Sequence, residues 1–256
     1  MPCGNGGLSP KIGSFTTHTQ RSLMDNRSTH FRTTTYVGLF ITLVLTTIFW
    51  YPSVYKSILP TDFELRNYLM QGIDWLVVLT IVGLIIFGER DKLSTLQFRP
   101  ITFESFSLGM ALGGFSMLYL VAHRFLVNAS GPETNLGPDL SSPGLDTVGP
   151  EFFYVYGLFS LLTASFAEEI IYRGYATERL LRLQDKKWMA FLLPWVAFTL
   201  MHYRKGLEHM LGVAVVAALM QWYYMKYRNL TITVIGHLFI DSMALVGIFY
   251  EHFTRG

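Results

Sequence analysis

The sequence predicts an all-α fold, a polytopic bundle of about seven transmembrane helices, and three observations carry that reading. Hydrophobic residues make up 51% of the 256, charged residues only 15%, and mean hydropathy is +0.34. That is too apolar for an ordinary soluble domain of this size. The apolar residues are also gathered into runs of spanning length, from Thr34 to about Tyr51 and then at about 68–88, 105–127, 151–181, 188–204, 207–225 and 230–250. Lipid offers backbone groups no partner, and the runs are too long and too continuously apolar for barrel strands, so each is read as a helix.

Residues 1–32 are rich in Ser, Thr, Gly and Asn and read as a flexible polar arm, ahead of one membrane domain over 33–256. No small-residue cleavage pattern follows the first apolar run, which is therefore expected to be retained. Cys3 is the only cysteine, which excludes an intrachain disulfide and a Cys-based metal site. The basic residues are spread among loops, so no nucleic-acid partner is expected. With the N-terminus cytoplasmic in a cell membrane, the segments 1–33, 89–104, 172–187 and 226–229 hold 14 of the 20 Lys and Arg, whereas the connection 128–150 holds none and is placed outside. The run at 151–181 continues to Arg182 and is too long for full immersion; it is expected to bend near Gly174 or to project.

Ionisable side chains inside such runs are expensive and mark candidate functional sites. Glu169 and Arg173 stand four residues apart in the favourable order and are expected to pair, while Glu168 is rotated by roughly 100° out of that pairing. Phe198 and His202 share a helix face, as do His237 and Asp241. Measured from Arg182, Lys187 and Arg228, the residues Glu168, His202 and Asp241 all lie roughly 20 Å from one membrane face, with His237 at about 14 Å. Any one pattern alone is equally well explained by helix–helix packing. Three at one depth point to one shared site. Phe198 is read as a packing residue that shapes the pocket. Asp74, Glu208, His209 and His252 fall near the ends of runs, where snorkelling suffices, and are left out.

Phe166-Ala167-Glu168-Glu169-Ile170-Ile171-Tyr172-Arg173-Gly174, Phe198-Thr199-Leu200-Met201-His202 and Ile235-Gly236-His237-Leu238-Phe239-Ile240-Asp241 resemble the three signature motifs of the CPBP intramembrane proteases, which include the type II CAAX prenyl endopeptidases and bacterial abortive-infection-like proteins. The resemblance covers about 151–245. It departs at Tyr172, where the family usually has Phe, and at Asp241, where it often has Asn. The resemblance implies hydrolysis of a peptide bond in a membrane-associated or lipid-modified protein. Glu168 and His202 would hold the attacking water, His237 and Asp241 would stabilise the oxyanion, and Glu169, Arg173 and Phe198 would support them. An ionised Asp241 cannot donate a hydrogen bond, so it is expected to accept one from His237 and fix that ring's tautomer.

Two alternatives stand beside this. Glu168, His202, His237 and Asp241 could instead ligate zinc, although no His-Glu-x-x-His is present and a reaction without cofactor is favoured. A non-catalytic scaffold or proton-coupled carrier would use the same buried groups as a relay, but the repeated halves common in carriers are missing. The expected partners are the bilayer and a membrane-associated protein or peptide substrate.

Overall fold

The computed structural model describes residues 17–129, 150–184 and 186–255. Residues 1–16 of the polar arm and nearly all of the 128–150 connection lie outside them. Among the described residues the chain is helical without strands. Helix α1 (Thr17–Phe40), starting inside the segment read as an arm, passes through a π-helical turn at Ile41–Leu45 into α2 (Thr46–Phe49). Pro52 opens the short α3 (Pro52–Ile58), where its missing N–H is no loss. Asp62 caps α4 (Phe63–Gly83) by accepting the Leu65 N–H at 2.8 Å, and the rod continues as a π-helical turn, Leu84–Gly88. A 3-10 turn, Leu93–Leu96, leads to α5 (Phe103–Ala129).

The next rod is continuous from α6 (Pro150–Leu162) through π-helical turns at Thr163–Glu168 and Ile170–Thr177 into α7 (Glu178–Leu183). Gly174 sits in the second of these turns, where the chain widens to a π-helix, a departure of another kind than the bend or projection expected there. Helix α8 (Lys187–Met201) ends in a 3-10 turn, His202–Lys205; Gly206, at φ 96°, allows the break before α9 (Leu207–Tyr227), and α10 (Leu230–Arg255) closes the fold. Among the described residues these segments make seven long rods and the short α3. Four stretches, Thr29–Phe49, Phe63–Gly88, Phe103–Val127 and Leu230–Gly247, are long and apolar enough to cross a membrane. The rods at 150–183, Lys187–Met201 and Leu207–Tyr227 are shorter or less apolar.

Among the described residues three apolar clusters form the interior, the smallest around Leu39, Ala176, Leu180 and Ala190. Trp50, Val78, Ile81, Tyr172, Phe198 and Met201 belong to the largest, and Leu112, Val216, Met220, Ile232 and Ile240 join α5, α9 and α10 in the second. Gly109-x-x-x-Gly113 lets α10 lie directly on α5: a Cβ at Gly113 would meet the Gly236 carbonyl oxygen at 2.8 Å and the Phe239 Cβ at 2.9 Å. Gly113→Ala should therefore push α10 away and destabilise the fold by about 1–3 kcal/mol. Thermal melting in detergent reads this, and an unchanged midpoint would show that the two helices can part without cost.

At one end of the bundle the loops assigned to a common side are tied together. Buried Glu89 accepts from Arg179 Nε at 2.8 Å and Nη2 at 2.6 Å, from Tyr175 Oη at 3.0 Å and from Thr35 Oγ1 at 3.0 Å. Arg182 pairs with Asp91, Arg228 with Glu178, and the Leu230 N–H donates to Gln97 O at 2.9 Å. Partial burial opposes ionisation of Asp91, yet the Lys92 N–H and the Arg182 guanidinium outweigh it and hold the carboxyl below its usual range. Arg173 and Arg179, counted by sequence among the loop charges, are wholly buried because the rod that carries them runs on to Leu183 inside the bundle.

Candidate active site

Glu168 and Glu169 stand at the junction of the two π-helical turns, a form of helix often found at functional sites. Glu169 is wholly buried and its Oε1 serves two partners, Arg173 Nη1 at 2.8 Å and His237 Nδ1 at 3.0 Å. The pairing with Arg173 is the one expected from the i, i+4 spacing. The contact with His237 is not, because it joins helices 68 residues apart.

On the other side of the same imidazole, His237 Nε2 lies 3.4 Å from Asp241 Oδ2 and 4.0 Å from Glu168 Oε2. Three carboxyl groups thus surround one ring. Asp241, expected to fix the His237 tautomer, faces Nε2, and it is Glu169 that engages Nδ1. A carboxylate can only accept, so Nδ1 carries a proton. The Glu168 and Asp241 side chains keep 12% and 30% exposure, against none for Glu169, which places the accessible side of the cluster at the first two.

Phe198 connects this cluster to His202. The Arg173 guanidinium stacks over its ring at 4.3 Å, and the rings of His202, Tyr172 and His237 lie 4.8, 5.3 and 6.3 Å from it. His202 Nδ1 is 2.8 Å from the Phe198 carbonyl oxygen. That oxygen accepts, so Nδ1 of His202 carries a proton, and in the neutral ring Nε2 holds the lone pair. The seven residues singled out from the three motifs therefore occupy one region, with His202 joined to the carboxylates through Phe198.

Three further residues escaped the sequence reading. Tyr172 is buried, with Oη 3.1 Å from Met201 Sδ and 3.4 Å from Thr46 Oγ1 on another helix. His209, dismissed as lying at a helix end, has its ring 5.9 Å from that of His202, because the tight turn at Gly206 folds the start of α9 back toward the end of α8. Asp74 was dismissed for the same reason. Since α4 begins at Phe63, Asp74 lies about three turns inside the rod; it is 4% exposed and accepts from Trp50 Nε1 at 3.3 Å.

Among the described residues no three His, Cys, Asp or Glu side chains come together closely enough to hold a metal ion. The four residues named as possible zinc ligands are not gathered into such a group in this arrangement, and no step below is routed through a metal.

Residues 150–243 match the family model described as Type II CAAX prenyl endopeptidase Rce1-like. No curated protein and no solved structure matches the chain. The matched segment spans the whole of the cluster, from the rod that carries Glu168 to Asp241.

Proposed function

Taking that segment as an intramembrane protease segment of the CPBP kind set in an all-helical membrane protein, we propose that the chain hydrolyses a peptide bond near the C-terminus of a lipid-modified or membrane-embedded protein. Glu168 takes a proton from water, whose oxygen attacks the scissile carbonyl carbon, and His202 orients that water through its Nε2 lone pair. The C–N bond then breaks as the proton passes from Glu168 to the leaving nitrogen. His237, with Nδ1–H engaged by Glu169, offers a second donor to the oxyanion only as an imidazolium, a charge that Glu168, Glu169 and Asp241 are placed to balance. The observation that carries the reading is this convergence of three carboxyl groups on one imidazole, with Glu168 and Asp241 on its accessible side. We place the end of the bundle that carries Glu89 and Arg228 in the cytoplasm of a cell membrane.

The test is cleavage of a lipid-modified reporter peptide by the purified protein in liposomes made with 18O-labelled water. Uptake of one label into the new carboxyl group is expected. No cleavage of any such reporter, together with a cellular phenotype that survives Glu168→Gln, would favour a scaffold or carrier. Activity is expected to survive exhaustive chelation; loss that only zinc restores would replace the metal-free mechanism. Asp241→Asn keeps an oxygen that can face His237, so kcat should stay within about tenfold of wild type. A much larger loss would assign the negative charge of Asp241 an essential part.

A further inference from the structure

Helix α8 meets different neighbours along its length. Near its start Gln221 Nε2 of α9 donates to Ala190 O at 3.0 Å, and at its middle Trp195 Nε1 donates to Ala214 O at 2.7 Å, also on α9. The last turn, and the 3-10 turn after it, meet residues 46–51. Thr47 Oγ1 comes within 3.5 Å of Ala197 O, and the Tyr172 hydroxyl donates to Met201 Sδ at 3.1 Å while lying 3.4 Å from Thr46 Oγ1. The rings of Tyr51 and Tyr203 stack, 5.9 Å apart and only 6° from parallel. Met201 and Tyr203 are the two chain neighbours of His202. Between Thr46 and Tyr51, buried Trp50 fastens the same segment to α4 by donating from Nε1 to Asp74 Oδ1 at 3.3 Å.

The position of His202 makes outside support matter. It is the first residue past α8, where its N–H reaches back to the Thr199 carbonyl in a tighter 3-10 turn, and four residues later the chain breaks at Gly206. Its hydrogen bond to Phe198 O at 2.8 Å and the Phe198 ring at 4.8 Å tie the imidazole to its own helix, so the ring goes where the end of α8 goes. The His209 ring, at 5.9 Å, belongs to α9 beyond the break. A catalytic side chain has to be held to within roughly 0.5 Å of its working position. On the exposed side of this helix end the packing is open. A cavity of about 610 Å³ bounded by Ile48, Val54, Leu200 and Met210 lies there, with Tyr51 and Tyr203 in its wall, so the stacked rings join the two segments where other packing is thin.

We propose that residues 46–51 are a brace that positions His202, gripping the end of α8 on the buried side through Tyr172 and Met201 and on the exposed side through Tyr51 and Tyr203. The proposal rests on the hydrolase reading of the site, in which His202 orients the attacking water. Tyr51 and the Tyr172 hydroxyl are positioning groups that act through the neighbours of His202, and Asp74 anchors the brace in the bundle by way of Trp50. The brace lies ahead of residues 150–243, the part similar to the protease family, and so supplies from outside that part a support for one of its reactive side chains.

The test follows turnover and the His202 ring together, in the full chain in nanodiscs. Tyr51→Ala should lower kcat by about tenfold with KM unchanged, and Tyr51→Phe, which keeps the stacked ring, should restore it. In 15N-histidine-labelled protein, with the His202 signal assigned by its loss in His202→Ala, the Nδ1–H should exchange with water faster in Tyr51→Ala and at the wild-type rate in Tyr51→Phe. Tyr172→Phe, which removes one hydroxyl, should show the same two changes and serves if Tyr51→Ala folds poorly. A raised KM would make Tyr51 a substrate contact, and a lowered melting midpoint with an unaltered His202 signal would make it a structural one. Either result overturns the proposal, as does wild-type kcat in a well-folded Tyr51→Ala. A loosened His202 in a chain that cleaves no peptide would uphold the brace and sink only the protease reading.

Discussion

Glu168→Gln should lower peptide-bond cleavage by about a hundredfold or more while leaving the melting midpoint unchanged, because it replaces a proton-abstracting carboxylate with a near-isosteric amide. The geometry supports this separation of effects. Glu168 reaches His237 only at 4.0 Å, whereas the buried contact at 3.0 Å comes from Glu169. Cleavage rates and melting of one preparation read both quantities. A variant that is inactive and also unstable would show that Glu168 is part of the frame, and one with wild-type turnover would remove it from the chemistry.

Arg173→Ala should fail in the opposite way. Breaking a buried ion pair by removing one partner typically costs about 3–5 kcal/mol. Here Arg173 is wholly buried against Glu169 at 2.8 Å, stacks over Phe198 at 4.3 Å and donates from Nη2 to Ala217 O at 3.4 Å, so α8 and α9 both lose contact with it. Glu169 keeps His237 as a neighbour, which places the expected loss near the lower end, about 3 kcal/mol. Melting should fall sharply and protein level with it. An Arg173→Ala protein as stable as wild type but inactive would mean that Arg173 takes part in the reaction.

Much of the architecture could be read from the chain before any coordinates. Membrane-length apolar runs mark the rods because lipid leaves the backbone one solution, and the runs beginning at 151, 188, 207 and 230 start within one residue of α6, α8, α9 and α10. Glu168, His202, His237 and Asp241 stood out because charge inside such runs is costly. The partners of these residues were less legible. The contact of Glu169 with His237 depends on how two distant rods are rotated, which no local spacing encodes. Glu89 falls in the segment 89–104 assigned to a loop, and its burial follows from Thr35, Tyr175 and Arg179 arriving from two other helices. Asp74 is misplaced by an error of a few residues in where its rod begins, enough to turn an interior group into an apparent surface one. His209 does stand at the start of α9, and its approach to His202 depends on the turn at Gly206.

The Glu89–Arg179 tie also bears on how much of this chain can live by itself. Similarity to the protease family starts at residue 150, yet Arg179 inside the matched segment is neutralised by Glu89 before it, and α10 lies on the glycines of α5. A fragment cut at the border of similarity would turn Arg179 and the Gly236 ridge from interior into exterior, with a cation stranded and a groove left open. The segment similar to the family and the unit that folds are therefore different lengths of the same polypeptide.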